Sequence, residues 1–312
     1  MDVFERLSLA GLVPILKIEN AADAVPLCQA LCAGGLPVAE IAFRTDAAES
    51  AIRAVHRELP HVILGAGAVR SIDQVNQAMN AGAAYVSTLG FNPKVVSHCI
   101  DAGVPILPGC ASPADMEATL DMGLTTLTLF PAEALGGVPF LKAVCVPYDG
   151  LSFVPTGGID DKNMMDYLAF PRVRAVGGSW MTPADAIRDG DWERITRLTS
   201  VAVNLLLGAT LRHVGVNSGT PERAARDAET YARLLGCPAC EGVSAICAGD
   251  AFELMKRPFR GQNGHIALAV NSVPRAVWYM TRRGFAFDHT SELVENGRVR
   301  SIYLKEEIGG FA

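Results

Sequence analysis

The segment Pro37-Val38-Ala39-Glu40-Ile41-Ala42-Phe43-Arg44-Thr45 decides how this chain is read. From Pro37 to Phe43 every residue but Glu40 is apolar. A strand with one wet face alternates apolar and polar residues, so this run predicts a strand covered on both faces. That is the habit of a parallel sheet lying under helices. Glu40 is the exception that needs a reason, because lone carboxylates are seldom buried without a partner or a task.

Runs of the same kind recur at Leu12–Ile18, Val62–Ala66, Ala84–Thr88, Val104–Leu107, Thr125–Phe130, Ser152–Pro155 and Val173–Val176. Helical patterns such as Ala21–Ala33, Ala47–Glu58 and Ile72–Ala81 separate them. Eight strands alternating with helices predict an α/β architecture, a (β/α)8 TIM barrel over residues 1–207 closed by a helix at Trp192–Leu207. A doubly wound sheet gives the same rhythm with fewer strands. In such a barrel the chemistry lies where strands end and loops begin. That rule picks out Lys17, Glu40, Arg44-Thr45, Gly65-Ala66-Gly67, Pro108-Gly109, Thr128, Pro155-Thr156-Gly157-Gly158 and Gly177-Gly178-Ser179. Two glycine pairs late in the barrel suit an anion held by backbone N–H groups; the plainer reading is a pair of turns.

After a short joint at Gly208-Ala209-Thr210 the rhythm changes. Strand candidates Leu211–Val216 and His265–Val270 each carry a histidine and lead into helices at Pro221–Leu235 and Pro274–Gly284. Val243–Ala248 and Phe252–Met255 follow the first helix; Arg298–Leu304 and Gly310-Phe311-Ala312 follow the second. The repeat of roughly 50 residues predicts an α+β domain, a tandem βαβββ duplication over residues 208–312.

Half of the 312 residues are apolar, enough for a substantial core, and the net charge is −6. That charge argues against nucleic acid, whose phosphates select basic surfaces, but not against a small anion. Met1–Ala10 contains Asp2, Glu5 and Arg6 and lacks the apolar core of a signal peptide, and no apolar run reaches the roughly 18 residues that span a bilayer. A cytoplasmic protein without a membrane partner is expected, its eight cysteines reduced. Cys237-Pro-Ala-Cys240 is the one C-x-x-C, read as a loop with two thiols beside the rarer redox or zinc role.

Val13-Pro14, Gly34-Gly35, Ala39 to Thr45, Gly65-Ala66-Gly67, Pro108-Gly109, Phe130-Pro131-Ala132-Glu133, Pro155 to Ile159 and Gly177 to Trp180 together resemble the KDPG/KHG aldolase family in order and spacing. The resemblance implies a (β/α)8 barrel, typically a trimer, that reversibly splits a keto-deoxy sugar acid or hydroxy-keto diacid into pyruvate and an aldehyde. It implies no cofactor for the barrel. Glu40 would be the general acid/base, and Arg44 and Thr45 would bind the substrate carboxylate. Thr156, Gly157, Gly158, Gly178 and Ser179 would form the phosphate or distal-carboxylate pocket. Pro108, Gly109 and Phe130 would shape its wall.

The departures fall in the same pocket. Leu127-Thr128-Leu129-Phe130-Pro131-Ala132-Glu133 has threonine where the family carries the imine-forming lysine, and a hydroxyl cannot form an imine. Ala68 stands where a hydroxyl usually follows Gly-Ala-Gly, and Thr88-Leu89-Gly90 replaces Ser-Pro-Gly. Of six lysines only Lys17 ends a barrel strand. Desolvated there, its amine could attack a carbonyl in place of the missing one; the plainer reading pairs it with a carboxylate.

Residues 208–312 resemble a vicinal-oxygen-chelate, or glyoxalase-like, domain. His213 and His265 would be first-strand metal ligands and Glu253 a fourth-strand one, suiting a divalent ion. A fourth ligand is expected from the last strand, which has barely begun where the sequence stops at Ala312. Structural hydrogen bonding between the two modules is the bland alternative. Three functions therefore stand: an aldolase disarmed at Thr128, a non-catalytic keto-acid binding protein, and metal chemistry in the second domain.

Overall fold

The computed structural model describes residues 1–312 and divides into two compact units, Met1–Leu206 and Leu207–Ala312. Strands β1 Leu12–Leu16, β2 Val38–Ala42, β3 Ile63–Gly67, β4 Tyr85–Ser87 and β5 Ile106–Leu107 of the first unit pair in sequence order, all parallel. Pro108 interrupts the fifth run, and it resumes as β6 Gly109–Cys110. There it turns from β4 toward β7 Thr126–Leu129, which pairs with β8 Ser152–Phe153. The last strand, β9 Val176–Gly178, pairs with β1 and is bridged to the β8 segment at Phe153–Val173 and Thr156–Gly177. The parallel pairings thus pass from β1 through β8 and back through β9.

The ninth segment corrects the expected Val173–Val176. Val173 makes only a bridge, and the ladder with β1 runs over the glycines to Gly178. Gly177 lies there because a side chain would meet Thr156 Oγ1 at 2.7 Å.

Some helices between the strands start at polar caps, and others, such as Ala48–Glu58, start without a side-chain cap. Ser71 accepts from Gln74 N–H, Asn92 from Lys94 and Val95 N–H, and Ser112 forms a capping box with Asp115. Their apolar faces, such as Ala51, Ile52 and Val55 of the helix Ala48–Glu58, complete a core with Leu16, Ile41, Leu64 and Val86 from the strands. No helix is long and apolar enough to cross a membrane.

The second unit is a five-stranded sheet in the order β11-β12-β13-β10-β14: β10 Thr210–Asn217, β11 Ala239–Glu241, β12 Ala245–Ala248, β13 Phe252–Met255 and β14 Gly264–Ala269. β15 Phe287–Glu295 and β16 Arg298–Leu304 form a separate antiparallel pair. Ala224, Ala228 and Ala232 of the helix Pro221–Leu235 bury one face of the sheet against Ile246, Ala248 and Leu254. Two strands were absent from the sequence reading, β11 and β15. Gly310–Ala312, read as a strand, joins no ladder: Phe311 bridges to Gly264 and Ile308, Ala312 O accepts from Ile266 N–H, and Ala312 N–H donates to Gly264 O.

Candidate active site

Glu40 sits in the middle of β2 and is 7% exposed. Its Oε1 accepts from the Ser87 hydroxyl at 2.8 Å and its Oε2 from the Tyr85 hydroxyl at 2.9 Å. Glu40 lies opposite Gly65, and Gly65 lies opposite Tyr85, so one row crosses three strands. The glycines of Gly65-Ala66-Gly67 make that row possible. A Cβ at Gly65 would stand 2.2 Å from the Tyr85 ring, and one at Gly67 would stand 2.4 Å from Glu40 Oε1. Burial pushes the Glu40 carboxyl above the usual carboxylate range, while the bonds from Ser87 and Tyr85 pull it the other way. A buried carboxyl so placed can give or take a proton nearer neutrality. The sequence reading missed Tyr85 and Ser87, although their spacing of two residues on one strand puts both on Glu40's side.

Thr128 is 5% exposed on β7, opposite Gly109, with its N–H bonded to Pro108 O at 2.9 Å. Gly109 N–H donates to Thr88 Oγ1 at 2.9 Å, and a side chain on Gly109 would strike the Leu89 backbone at 2.3 Å. Thr88-Leu89 therefore shapes the wall at Pro108-Gly109. Ala68 is buried with a φ of 54°, a left-handed backbone at a residue with a Cβ.

Lys17 follows β1 directly, but its side chain is 58% exposed and ion-paired with Glu19 at 2.6 Å. The desolvation on which its use as a replacement nucleophile depends is missing. Arg44 is exposed after β2, and the Thr45 hydroxyl donates to Ile18 O.

The Thr156-Gly157-Gly158 loop is tied to the Phe130–Glu133 turn. Ala132 N–H donates to Thr156 O at 2.8 Å and Glu133 N–H to Gly157 O at 3.1 Å. Gly157 and Gly158 have φ of 95° and 81°, and side chains there would meet the Phe130 ring and Glu133. The Tyr167 hydroxyl donates to Glu133 Oε1, a clamp the sequence reading did not find. Gly178 makes way for the Trp180 ring, and Ser179 is exposed.

The family model for KDPG and KHG aldolase matches residues 3–198. The chain belongs to the KDPG and KHG aldolase family. It is 45% identical over 206 residues to the 2-dehydro-3-deoxy-phosphogluconate aldolase of Treponema pallidum, covering 66% of this chain and 98% of that one. It is 39% identical over 197 residues to the KHG/KDPG aldolase of Escherichia coli K12, covering 63% and 92%. Among solved structures it is similar to the Legionella pneumophila KDPG aldolase, captured with pyruvate as a covalent carbinolamine. That match has a TM-score of 0.63 and 34% identity, over 65% of this chain and 98% of that one. The Zymomonas mobilis aldolase with 3-phosphoglycerate matches with a TM-score of 0.60 and 38% identity, over 64% and 94%. The family match ends before the second unit begins.

In that unit three donors converge on the sheet face away from the helix Pro221–Leu235. His213 Nε2 lies 3.0 Å from His265 Nε2 and 3.4 Å from Glu253 Oε2; His265 Nε2 lies 3.2 Å from the same oxygen. Donors about 2.1 Å from one ion stand on the order of 3.0–3.4 Å apart at octahedral or tetrahedral angles. The three side chains fit a divalent ion. Gly215 clears the space, since a Cβ there would lie 2.0 Å from the His265 ring. Burial, with His265 and Arg212 adding to it and Glu253 opposing, holds His213 below the usual imidazole range, leaving the lone pair a ligand needs. Phe259 and Tyr303 stand edge-on to His265, and Arg260 lies over Tyr303.

Proposed function

We propose that the first unit is a (β/α)8 keto-acid site of the KDPG/KHG aldolase type whose covalent step has been removed. Glu40 is the proton-transfer group, Arg44 and Thr45 take the substrate carboxylate, and Thr156-Gly157-Gly158 with Gly178-Ser179 takes the distal anion. What supports this is Glu40, buried in a family-matched strand, together with Thr128, buried where the sequence resemblance puts the imine-forming lysine. The relatives' names point to a 2-dehydro-3-deoxy-phosphogluconate or 4-hydroxy-2-oxoglutarate substrate. Without an amine to withdraw electrons, cleavage falls by orders of magnitude. Borohydride reduction with pyruvate tests it. The unaltered protein should take up no pyruvate covalently, and Thr128→Lys should take it up on the introduced amine and gain pyruvate-forming activity. Full activity in the unaltered protein, or an adduct at Lys17, overturns this reading. Pyruvate binding without turnover in both forms would instead mark a keto-acid binding protein.

A second reading concerns residues 207–312, and the mutual spacing of His213, Glu253 and His265 favours it. We infer a vicinal-oxygen-chelate type unit in which these residues hold a divalent ion, which would supply Lewis-acid chemistry when bound. Metal analysis of the purified protein and of His265→Ala tests it.

A further inference from the structure

The motif Cys237-Pro-Ala-Cys240 reads as a pair, but the fold separates its two thiols. Cys237 packs on the core of Ala232, Ile246, Ala248 and Leu254, on the side of the helix Pro221–Leu235; a Cβ at Gly249 would lie 3.1 Å from its Sγ. Ile246 and Ala248 point to that side, so Cys247 between them points to the other, because successive strand residues alternate faces. Cys240 is directly opposite Cys247 on the ladder between β11 and β12 and shares its face. The real neighbour of Cys240 is therefore seven residues on, not three back.

Opposed residues on antiparallel strands have Cα atoms about 4.5–5.5 Å apart and Cβ atoms about 4.5–5.5 Å apart. A disulfide needs Cα atoms about 4.4–6.8 Å and Cβ atoms about 3.5–4.5 Å apart. The pair needs to close by about 1 Å. β11 can supply that, since it is an edge strand of three exposed residues. All eight cysteines are free thiols in this structure; Cys240 is exposed and Cys247 half-buried.

We propose that Cys240 and Cys247 form a thiol–disulfide exchange site for low-molecular-weight disulfides. The exposed Cys240 thiolate attacks one sulfur of the small disulfide, forming a mixed disulfide and expelling one thiolate. The Cys247 thiolate then attacks the Cys240 sulfur and expels the second thiolate. A Cys240–Cys247 bond forms, the small disulfide is reduced to two thiols, and the two protein thiol protons pass to them. The site lies at one end of a row that crosses all five strands: Cys240, Cys247, Glu253, Gly215 and His265. Cys247 lies directly opposite Glu253 of the metal triad, but the exchange itself uses no ion.

The test is intact-mass measurement and peptide mapping of the reduced full chain after incubation with oxidised glutathione. The expected product has lost two hydrogens, has two fewer thiols open to alkylation, and carries a Cys240–Cys247 crosslink. Cys247→Ser should stop at a glutathione adduct on Cys240. Cys237→Ser should leave the crosslink unchanged, and Cys240→Ser, at an exposed position, should abolish both products. A crosslink joining Cys237 to Cys240 overturns the proposal. So does a glutathione adduct that persists on Cys240 of the unsubstituted chain, or a Cys240 that does not react.

Discussion

Gly67 owes its identity to Glu40. A methyl group there falls 2.4 Å from Oε1, and the carboxylate cannot move aside without breaking its bonds from Tyr85 and Ser87. Gly67→Ala should therefore cost about 1–3 kcal/mol and displace Glu40. Gly150→Ala, with open space around it, is the matched control and should stay within about 0.5 kcal/mol. Urea midpoints compare the two, and equal midpoints would refute the tight row. Glu40 also ties stability to pH. Its carboxyl titrates higher in the folded chain than in the unfolded one, where about 4.3 is ordinary. The folded state thus holds the extra proton, and this contribution is whole below the unfolded value and lost as pH rises through the folded one. The stability difference between the parent and Glu40→Gln should move in favour of Gln as pH climbs from about 4 toward neutrality. A gap constant across that range would mean the carboxyl is not perturbed. In the Thr128→Lys background, Glu40→Gln should lower pyruvate release by roughly 10²–10⁴, the usual contribution of a positioned acid/base.

At the scale of elements, the loop Thr156-Gly157-Gly158 is the part most dependent on glycine. Gly158 has a φ of 81°, and a side chain would approach Glu133 Cβ to 2.6 Å. Gly158→Ala should cost about 1–2 kcal/mol through the left-handed backbone alone and weaken binding of inorganic phosphate to the first unit. Calorimetric titration checks this; unchanged phosphate affinity would move the anion elsewhere. How legible the elements were follows from burial. β2 and β3 are buried at every residue, so their apolar runs stood out in the sequence. β11 and β15 were missed because their environments leave no such signal. Ala239-Cys240-Glu241 is wholly exposed, and Phe287–Glu295 buries only its first residue. The same logic governs the site. Glu40 announced itself as a charge inside an apolar run, whereas Tyr85, Ser87 and Tyr167 are ordinary strand and helix residues until the fold brings their hydroxyls to a carboxylate. Lys17 shows the converse: its sequence position placed it at a strand end but could not reveal that its amine faces water beside Glu19.

At the scale of the molecule, two units with separate cores each gather polar side chains of a different kind. The first has a buried carboxyl and glycine-rich loops, and the second has two imidazoles and a carboxylate within 3.4 Å of one another. A ligand that binds only a folded unit raises that unit's stability by mass action, about 2.7 kcal/mol at a hundredfold excess over Kd. Zinc, nickel, manganese or ferrous ion should therefore raise the unfolding temperature of the second unit, and one ion should remain bound after gel filtration. Glu253→Gln preserves shape but removes the anionic oxygen, and should reduce the rise; His213→Ala should remove it. Because His213 is held below the usual imidazole range, the effect should persist to mildly acidic pH before proton competition ends it. A rise that survives in both His213→Ala and His265→Ala would put the ion elsewhere in the chain. No rise with any of the four ions would leave the triad as a hydrogen-bonded cluster between modules.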